Sequence, residues 1–219
     1  MKKSIKLLSL ALMITTGVTA CKKDKPIEEK KEPQPQALRL KSLTFKGGIR
    51  VYTKDGEITD PAIIAKATIS TGMIFLSHTL NEKVPVAFFL DQNTFKMAPR
   101  IYTFKKNGDQ FLFTLNSTMN IPKNDINIIA APFVKFTGLG QANTDGTTVY
   151  NRQFVAYGDQ DEIKLSAVDI CHLRKFDNTP RTESWWLESA LNEFEVRGIS
   201  TLGVRDTLAV REYSYNYSK

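Results

Sequence analysis

The chain has 219 residues, with 30 Lys and Arg against 23 Asp and Glu, and only two each of Cys and His. Its 42% hydrophobic and 24% charged residues match a globular protein, which excludes a disordered chain, a collagen-like repeat and a disulfide scaffold. So few Cys and His leave little material for zinc or haem ligation, and no metal or cofactor is expected.

The chain opens with Lys2, Lys3 and Lys6, followed by the apolar stretch LLSLALMITTGV over residues 7–18. A membrane-spanning helix needs about 20 apolar residues, so this stretch has the length of a signal-peptide core and not of an anchor. Val18-Thr19-Ala20-Cys21 comes next. A branched apolar residue, two small residues and a Cys resemble the lipobox of bacterial lipoproteins. The resemblance implies cleavage before Cys21 by signal peptidase II, acylation of the Cys21 thiol, and attachment to a membrane through several acyl chains, which hold where one is marginal. Loss of residues 1–20 removes three Lys and no acid, so the formal charge falls from +7 to +4. The remaining basic residues are scattered, and no nucleic-acid partner is expected.

Residues 21–36 begin with the lipid-bearing Cys and continue as KKDKPIEEKKEPQPQ, with Ile27 the sole apolar side chain after it. This composition cannot bury enough surface to offset ordering and predicts a disordered tether, reaching about 45 Å at ~3.1 Å per residue. In lipoproteins of the Bacteroidetes type, acidic residues just after the Cys are associated with export to the cell surface. Lys22-Lys23-Asp24-Lys25 is mostly basic, so an outer-membrane location is expected without a choice of face.

Residues 37–219 are read as a single β-rich domain. Runs rich in Val, Ile, Phe, Tyr and Thr, separated by Gly, Asn, Asp and Pro clusters, predict strands over 38–45, 49–54, 57–59, 73–80, 84–90, 100–106, 109–116, 126–137, 147–157, 162–174, 194–200 and 207–217. The fold class is therefore all-β, an antiparallel sandwich or a lipocalin-like barrel with one or two short helices. Asn107-Gly108 reads as a two-residue hairpin loop. It pairs Lys106 with Asp109, Phe104 with Phe111 and Tyr102 with Phe113, with all four aromatics on one face. Asp55-Gly56 reads as a second such loop, with Lys54 opposite Glu57. Asp60 and Pro61 form a helix start ahead of AIIAKA. Trp186, Leu187, Ala190, Leu191 and Phe194 recur at helical spacing, predicting a helix over 183–194. The apolar phase shifts between Leu208/Val210 and Tyr213/Tyr215/Tyr217, predicting a bulge near Arg211–Glu212.

The motifs that carry chemistry elsewhere are incomplete here, and no catalytic or metal residue is assigned. Cys171 and His172 are adjacent, but neighbours in a strand point to opposite faces and cannot act as nucleophile and base; Cys171 is expected to be a buried structural residue. The loop 141–152 has Gln141 and Arg152 where calcium ligands belong and reads as a turn at Asp145-Gly146. Gly138-Leu139-Gly140 lacks the third glycine of a dinucleotide fingerprint. Asp159, Asp161 and Glu162 are expected in a solvated turn. Trp185 and Trp186, with Tyr213, Tyr215 and Tyr217, are the aromatics able to face a ligand if exposed, although core packing is the preferred reading. Asp206-Thr207-Leu208 resembles the Asp-Thr-apolar O-glycosylation motif of exported Bacteroidetes proteins, with Thr207 the acceptor.

VYTKDGEITDPAII (51–64) and DTLAVREY (206–213) resemble stretches of uncharacterised Bacteroidetes-type envelope lipoproteins. With the lipobox, the resemblance implies a lipid-anchored protein of the bacterial cell envelope. The leading expectation is a non-catalytic binding or structural module whose partner is an envelope protein, a glycan or a small apolar ligand. The alternatives are a lipocalin-like carrier with an internal cavity and an envelope glycan or peptide hydrolase. The hydrolase would need Asp159, Asp161 or Glu162 to meet His78 or His172 in one cleft.

Overall fold

The computed structural model describes residues 35–73, 86–175 and 182–219. Val18, Thr19, Ala20, Cys21, His78 and nearly all of the strand expected over 73–80 lie outside them. In chain order the elements are β1 (Gln36–Phe45), β2 (Arg50–Thr53), β3 (Gly56–Ile58), helix α1 (Pro61–Ser70), β4 (Ala87–Phe89), β5 (Thr94–Met97), β6 (Arg100–Asn107), β7 (Gln110–Leu115), β8 (Met119–Pro122), the one-turn helix α2 (Ile126–Ile129), β9 (Leu139–Ala142), β10 (Thr147–Tyr150), β11 (Gln153–Gly158), β12 (Glu162–Lys175), β13 (Thr182–Ala190) and β14 (Thr207–Ser218). Two 3₁₀ turns, Ala131–Phe133 and Val196–Thr201, complete them.

Eight strands close into an antiparallel barrel in the order β1, β4, β5, β6, β7, β11, β12, β14, with β14 returning to β1. Of the two expected architectures the chain thus takes the barrel, of up-and-down, lipocalin-like type. Closure leaves none of these eight with a bare edge along its barrel portion. The inward side chains are those expected from the alternation: Tyr102, Phe104, Phe111 and Phe113 are all buried, with Leu38, Phe89, Phe95, Phe154, Ile163, Leu165 and Tyr217 completing the interior. The rings pack directly, with Phe95 to Phe113 at 4.5 Å, Phe113 to Phe154 at 4.8 Å and Tyr102 to Phe154 at 4.9 Å between centroids. The barrel is therefore filled by its own aromatic side chains.

Both hairpins are displaced from the expected register by two residues. Asn107 pairs with Gln110, and Phe104 with Phe113, so the loop is Gly108-Asp109. Gly108, at φ +62°, takes the first central position, which a type II′ turn reserves for glycine. Likewise Thr53 pairs with Gly56, leaving Lys54-Asp55 as the loop. A two-residue slip preserves the side-chain alternation, so the aromatic face survives although the partners change.

The β12–β14 ladder runs unbroken from Glu162–Ser218 to Leu173–Thr207. Its far half projects beyond the barrel and carries β13 on one edge and the β2–β3 hairpin on the other. There is accordingly no bulge at Arg211–Glu212. The apolar phase of β14 changes because the covered face changes. In the barrel the face of Tyr217 and Leu165 is buried. In the projection, Leu208, Val210, Val168 and Ile170 on the opposite face pack under Phe133, Val134, Phe194 and Leu202. Behind them Cys171 and Ala209 pack with Met73, at the end of α1. Burial on both faces explains the continuous run of buried residues from Leu165 to His172.

Four expected elements differ. The strand expected over 147–157 divides into β10, in a separate three-stranded sheet with β8 and β9, and β11 of the barrel. Residues 183–194 form strand β13 and a bend, not a helix. The helical spacing arises because Trp185 and Trp186 pack on opposite faces and the register slips between the pairs Ile170–Leu187 and Val168–Ala190. Residues 126–137 are not a strand: Asp125 caps α2, its Oδ1 accepting from the Asn127 N–H at 2.8 Å, and a 3₁₀ turn follows. Residues 194–200 hold the second 3₁₀ turn, with Glu195 as its cap. That turn approaches the first so closely that a Cβ on Gly198 would lie 2.0 Å from the Pro132 carbonyl oxygen. The start of α1 follows expectation, with Asp60 Oδ1 accepting from Ala62 N–H at 2.8 Å.

Candidate functional site

A cleft of about 620 Å³ opens on the outer side of the projecting sheet. Its floor is His172 from β12, Trp185 from β13, Phe133 from the first 3₁₀ turn, and Asp206 just before β14. The β12–β14 register brings His172 and Asp206 together across 34 residues, by pairing Leu173 with Thr207. Trp185 stands edge-on to the imidazole at 5.3 Å, and Phe133 closes the group at 5.8 Å from the indole. Lys175 and Arg205 add positive charge, while Arg174 is cross-strand from Glu183. Val204, 77% exposed, stands on the rim.

Asp206 is buried and held by three donors. Its Oδ2 accepts from Gly203 N–H at 2.9 Å and lies 3.0 Å from His172 Nε2, and its Oδ1 accepts from Lys175 N–H at 3.2 Å. Burial pushes this carboxyl up, but the two backbone N–H groups and His172 outweigh it, leaving it below the ordinary carboxylate range. An ionised Asp206 requires the proton on Nε2, so the neutral imidazole donates to it. Burial, opposed by Asp206 and reinforced by Arg174, lowers the His172 pKa below its usual value. His172 Nδ1 is then a lone pair, enclosed by protein and, among the described residues, without a hydrogen-bond donor.

Among known proteins the chain matches no family model, no curated protein and no solved structure.

The residues singled out by sequence are dispersed. Trp185 enters the cleft, whereas Trp186 packs against the Cys171 cluster on the other face of the sheet. Tyr213 and Tyr217 are buried, and Tyr215 is half-buried beside Tyr213 at 5.5 Å. Thr207 is half-buried and opposite Leu173, and its neighbour Asp206 is already engaged. Cys171 faces away from His172, and burial pushes its thiol up to about 12. Asp159 closes the β11–β12 turn by accepting from the Asp161 and Glu162 N–H groups. That turn is ten residues along β12 from His172, about 33 Å at ~3.3 Å per residue. Asp145 accepts from the Thr147 N–H and hydroxyl, forming the expected turn. Among the described residues no three His, Cys, Asp or Glu side chains meet as a metal site. Sequence reasoning passed over Asp206 and Phe133; only the strand register, once known, brings them to His172.

Proposed function

We propose that the chain is a lipid-anchored, non-catalytic binding module of the bacterial cell envelope, held through Cys21 and presenting the cleft around Trp185, His172 and Asp206. The observation that carries this reading is the filled barrel. With Phe95, Phe104, Phe111, Phe113 and Phe154 packed ring against ring, the interior is structural and ligand contacts fall to the outer surface. A carrier of lipocalin type needs that interior space for its ligand. The His172–Asp206 pair superficially resembles a catalytic dyad. Its free lone pair on Nδ1 is enclosed, however, whereas a general base must reach the proton it removes. The cleft's Thr201 hydroxyl donates to the Gly198 carbonyl. Aromatic faces beside Lys175 and Arg205 suit a ligand with a flat apolar surface and some negative charge.

Native mass spectrometry of the full chain released from its own membranes tests the binding role. A small molecule bound to the wild type and lost in Trp185→Ala supports it; a bare wild-type mass overturns it. Anchoring is tested separately: Cys21→Ser abolishes palmitate labelling and releases the protein from membranes, and labelling that persists in the variant overturns the anchor.

A further inference from the structure

A second, smaller cavity of about 250 Å³ lies at the end of the barrel where β6 and β11 begin and shares no lining residue with the His172 cleft. Arg100, the first residue of β6, and Arg152, just before β11, both line it. Neither guanidinium makes a hydrogen bond or ion pair among the described residues. Such groups bind carboxylates and phosphates through two parallel N–H donors, so two unpaired ones in one concavity are a ready acceptor site for negative charge.

The surroundings are ordered. Buried Tyr150, at the end of β10, donates from its hydroxyl to Asn127 Oδ1 at 3.2 Å, and Asn127 Nδ2 donates in turn to Asp125 Oδ1 at 2.7 Å. The Asn127 amide is thus oriented, and the ring of Tyr150 is held against the cavity. Burial raises the Tyr150 pKa, opposed by Arg152, reinforced by Asp125 and opposed again, less strongly, by Arg100, so both guanidinium charges are felt at one hydroxyl together with the Asp125 carboxylate. Asn192 is locked by accepting from Phe136 N–H at 3.1 Å and donating to Phe136 carbonyl oxygen at 2.7 Å. The remaining wall is mixed: Met119, Val134 and Leu187 give it an apolar patch, beside polar Thr137, Gln153 and Ser189. One carboxylate, Glu188, also lines the cavity, leaving two cations against one anion.

We propose that this cavity is a binding site for a small organic oxyanion with a short apolar body, its charged group held by Arg100 and Arg152 and its body laid against Met119, Val134 and Leu187. The oxyanion is a carboxylate or a phosphate ester, and the volume limits the ligand to a small molecule or the end of a larger one. The site is independent of the His172 cleft, because the two share no lining residue.

The test is calorimetric titration of the full chain with hexanoate, hexyl phosphate and, as the uncharged control, hexanol. Hexanoate or hexyl phosphate binds and hexanol does not; whichever oxyanion binds more tightly identifies the head group. Arg100→Gln and Arg152→Gln each weaken the better ligand by at least about tenfold, the loss expected of a charge-assisted pair. Glu188→Gln tightens it severalfold, and added salt weakens it. Because neither arginine has a hydrogen-bond or ion-pair partner among the described residues, both variants keep the wild-type unfolding midpoint. A check without variants is methylglyoxal modification read by peptide mass spectrometry: the bound oxyanion slows reaction at Arg100 and Arg152 and leaves exposed Arg39 unaffected. Equal binding of hexanol and the oxyanions, affinity indifferent to both arginine variants, or no protection of either arginine would each overturn the site.

Discussion

Asp169 and Arg211 are cross-strand neighbours on β12 and β14 where the ladder leaves the barrel, and their removal singly and together is the sharpest test of how that junction is held. The Asp169 side chain is fully buried and that of Arg211 is 12% exposed. Oδ2 accepts from Arg211 Nε at 3.1 Å and Nη2 at 3.0 Å, while Oδ1 accepts from Ser189 N–H at 2.9 Å and the Tyr213 hydroxyl at 3.2 Å. Asp169→Asn keeps an oxygen for Ser189 and Tyr213 but turns an amide toward a cation that has lost its counter-charge. Arg211→Met takes the paired cation away from a buried carboxylate. Each should cost about 3–5 kcal/mol, the usual penalty for orphaning one member of a buried pair. The double variant strands no charge and loses only hydrogen bonds, about 1–3 kcal/mol. The two changes should therefore be strongly non-additive, the double being milder than the sum by at least about 2 kcal/mol. Urea unfolding followed by tryptophan fluorescence reads this directly, since Trp185 and Trp186 lie on β13, paired with the same stretch of β12. Additivity within about 0.5 kcal/mol would refute the claim that the pair acts as one buried unit.

Phe113→Ala, which opens a void among Phe95, Phe104, Phe111 and Phe154, should destabilise by about 3–5 kcal/mol in the same unfolding experiment; a loss below about 1 kcal/mol would mean the barrel is not filled as described. Gly198→Ala should lower stability by at least about 1–2 kcal/mol, because the new Cβ meets backbone at Pro132 and not a side chain that can turn aside; an unchanged melting temperature would show that the two 3₁₀ turns move apart freely. His172 gives a pH dependence with a definite sign. Its folded pKa lies below the ordinary 6.5, so the unfolded chain takes up the proton first. Its stabilising contribution is full above pH 6.5 and declines as the pH falls through the lower, folded value. Urea midpoints measured from neutral pH downward should fall more steeply in wild type than in His172→Gln, and parallel curves would remove His172 as the cause.

The parts of the fold legible in the sequence are those where one physical signal acts alone. Tyr102, Phe104, Phe111 and Phe113 alternate cleanly because one face of β6 and β7 meets the interior, and Asp60-Pro61 marks a helix start by its own chemistry. The hairpin loops misplace by one residue, and the cross-strand partners by two, because Asn-Gly and Asp-Gly signal a turn without saying which pair is central. Residues 183–194 mislead for a different reason: a strand covered on both faces, with a slip near Ser189, scatters its apolar positions at intervals of three and four. Ser189 itself has φ +48°, a conformation its side chain does not advertise. For 126–137, the cap at Asp125 and Pro132 in the following turn were the available signals, outweighed by the β-forming Ile and Val around them. At the candidate site, the opposite facing of Cys171 and His172 follows from strand geometry alone. The meeting of His172 with Asp206 does not, because it depends on a twelve-residue ladder whose register no local pattern specifies.

The polar groups that matter lie where the projecting ladder and its covers join the barrel, and this follows from how the barrel is built. A closed barrel satisfies its backbone through its own strands, so filling it with Phe needs no buried polar side chains. The segments laid over the projection have no such ladder and must be fixed by side chains. Glu193 does this for the cover carrying Phe133 and Phe194: Tyr157 and Ser166 donate to its Oε1 at 2.9 and 3.2 Å, and Lys135 to its Oε2 at 3.0 Å. Burial pushes its carboxyl up, and Lys135 and Tyr157 bring it below the usual range, so it stays an acceptor at neutral pH. Asn192 ties the same cover through both hydrogen bonds to Phe136. The His172 cleft opens beside this cover, and Asn192 itself lines the Arg100–Arg152 cavity. Their walls are therefore set by hydrogen-bonded loops on a rigid sheet, an arrangement that permits the loops to diverge in chemistry while the aromatic barrel beneath is unchanged.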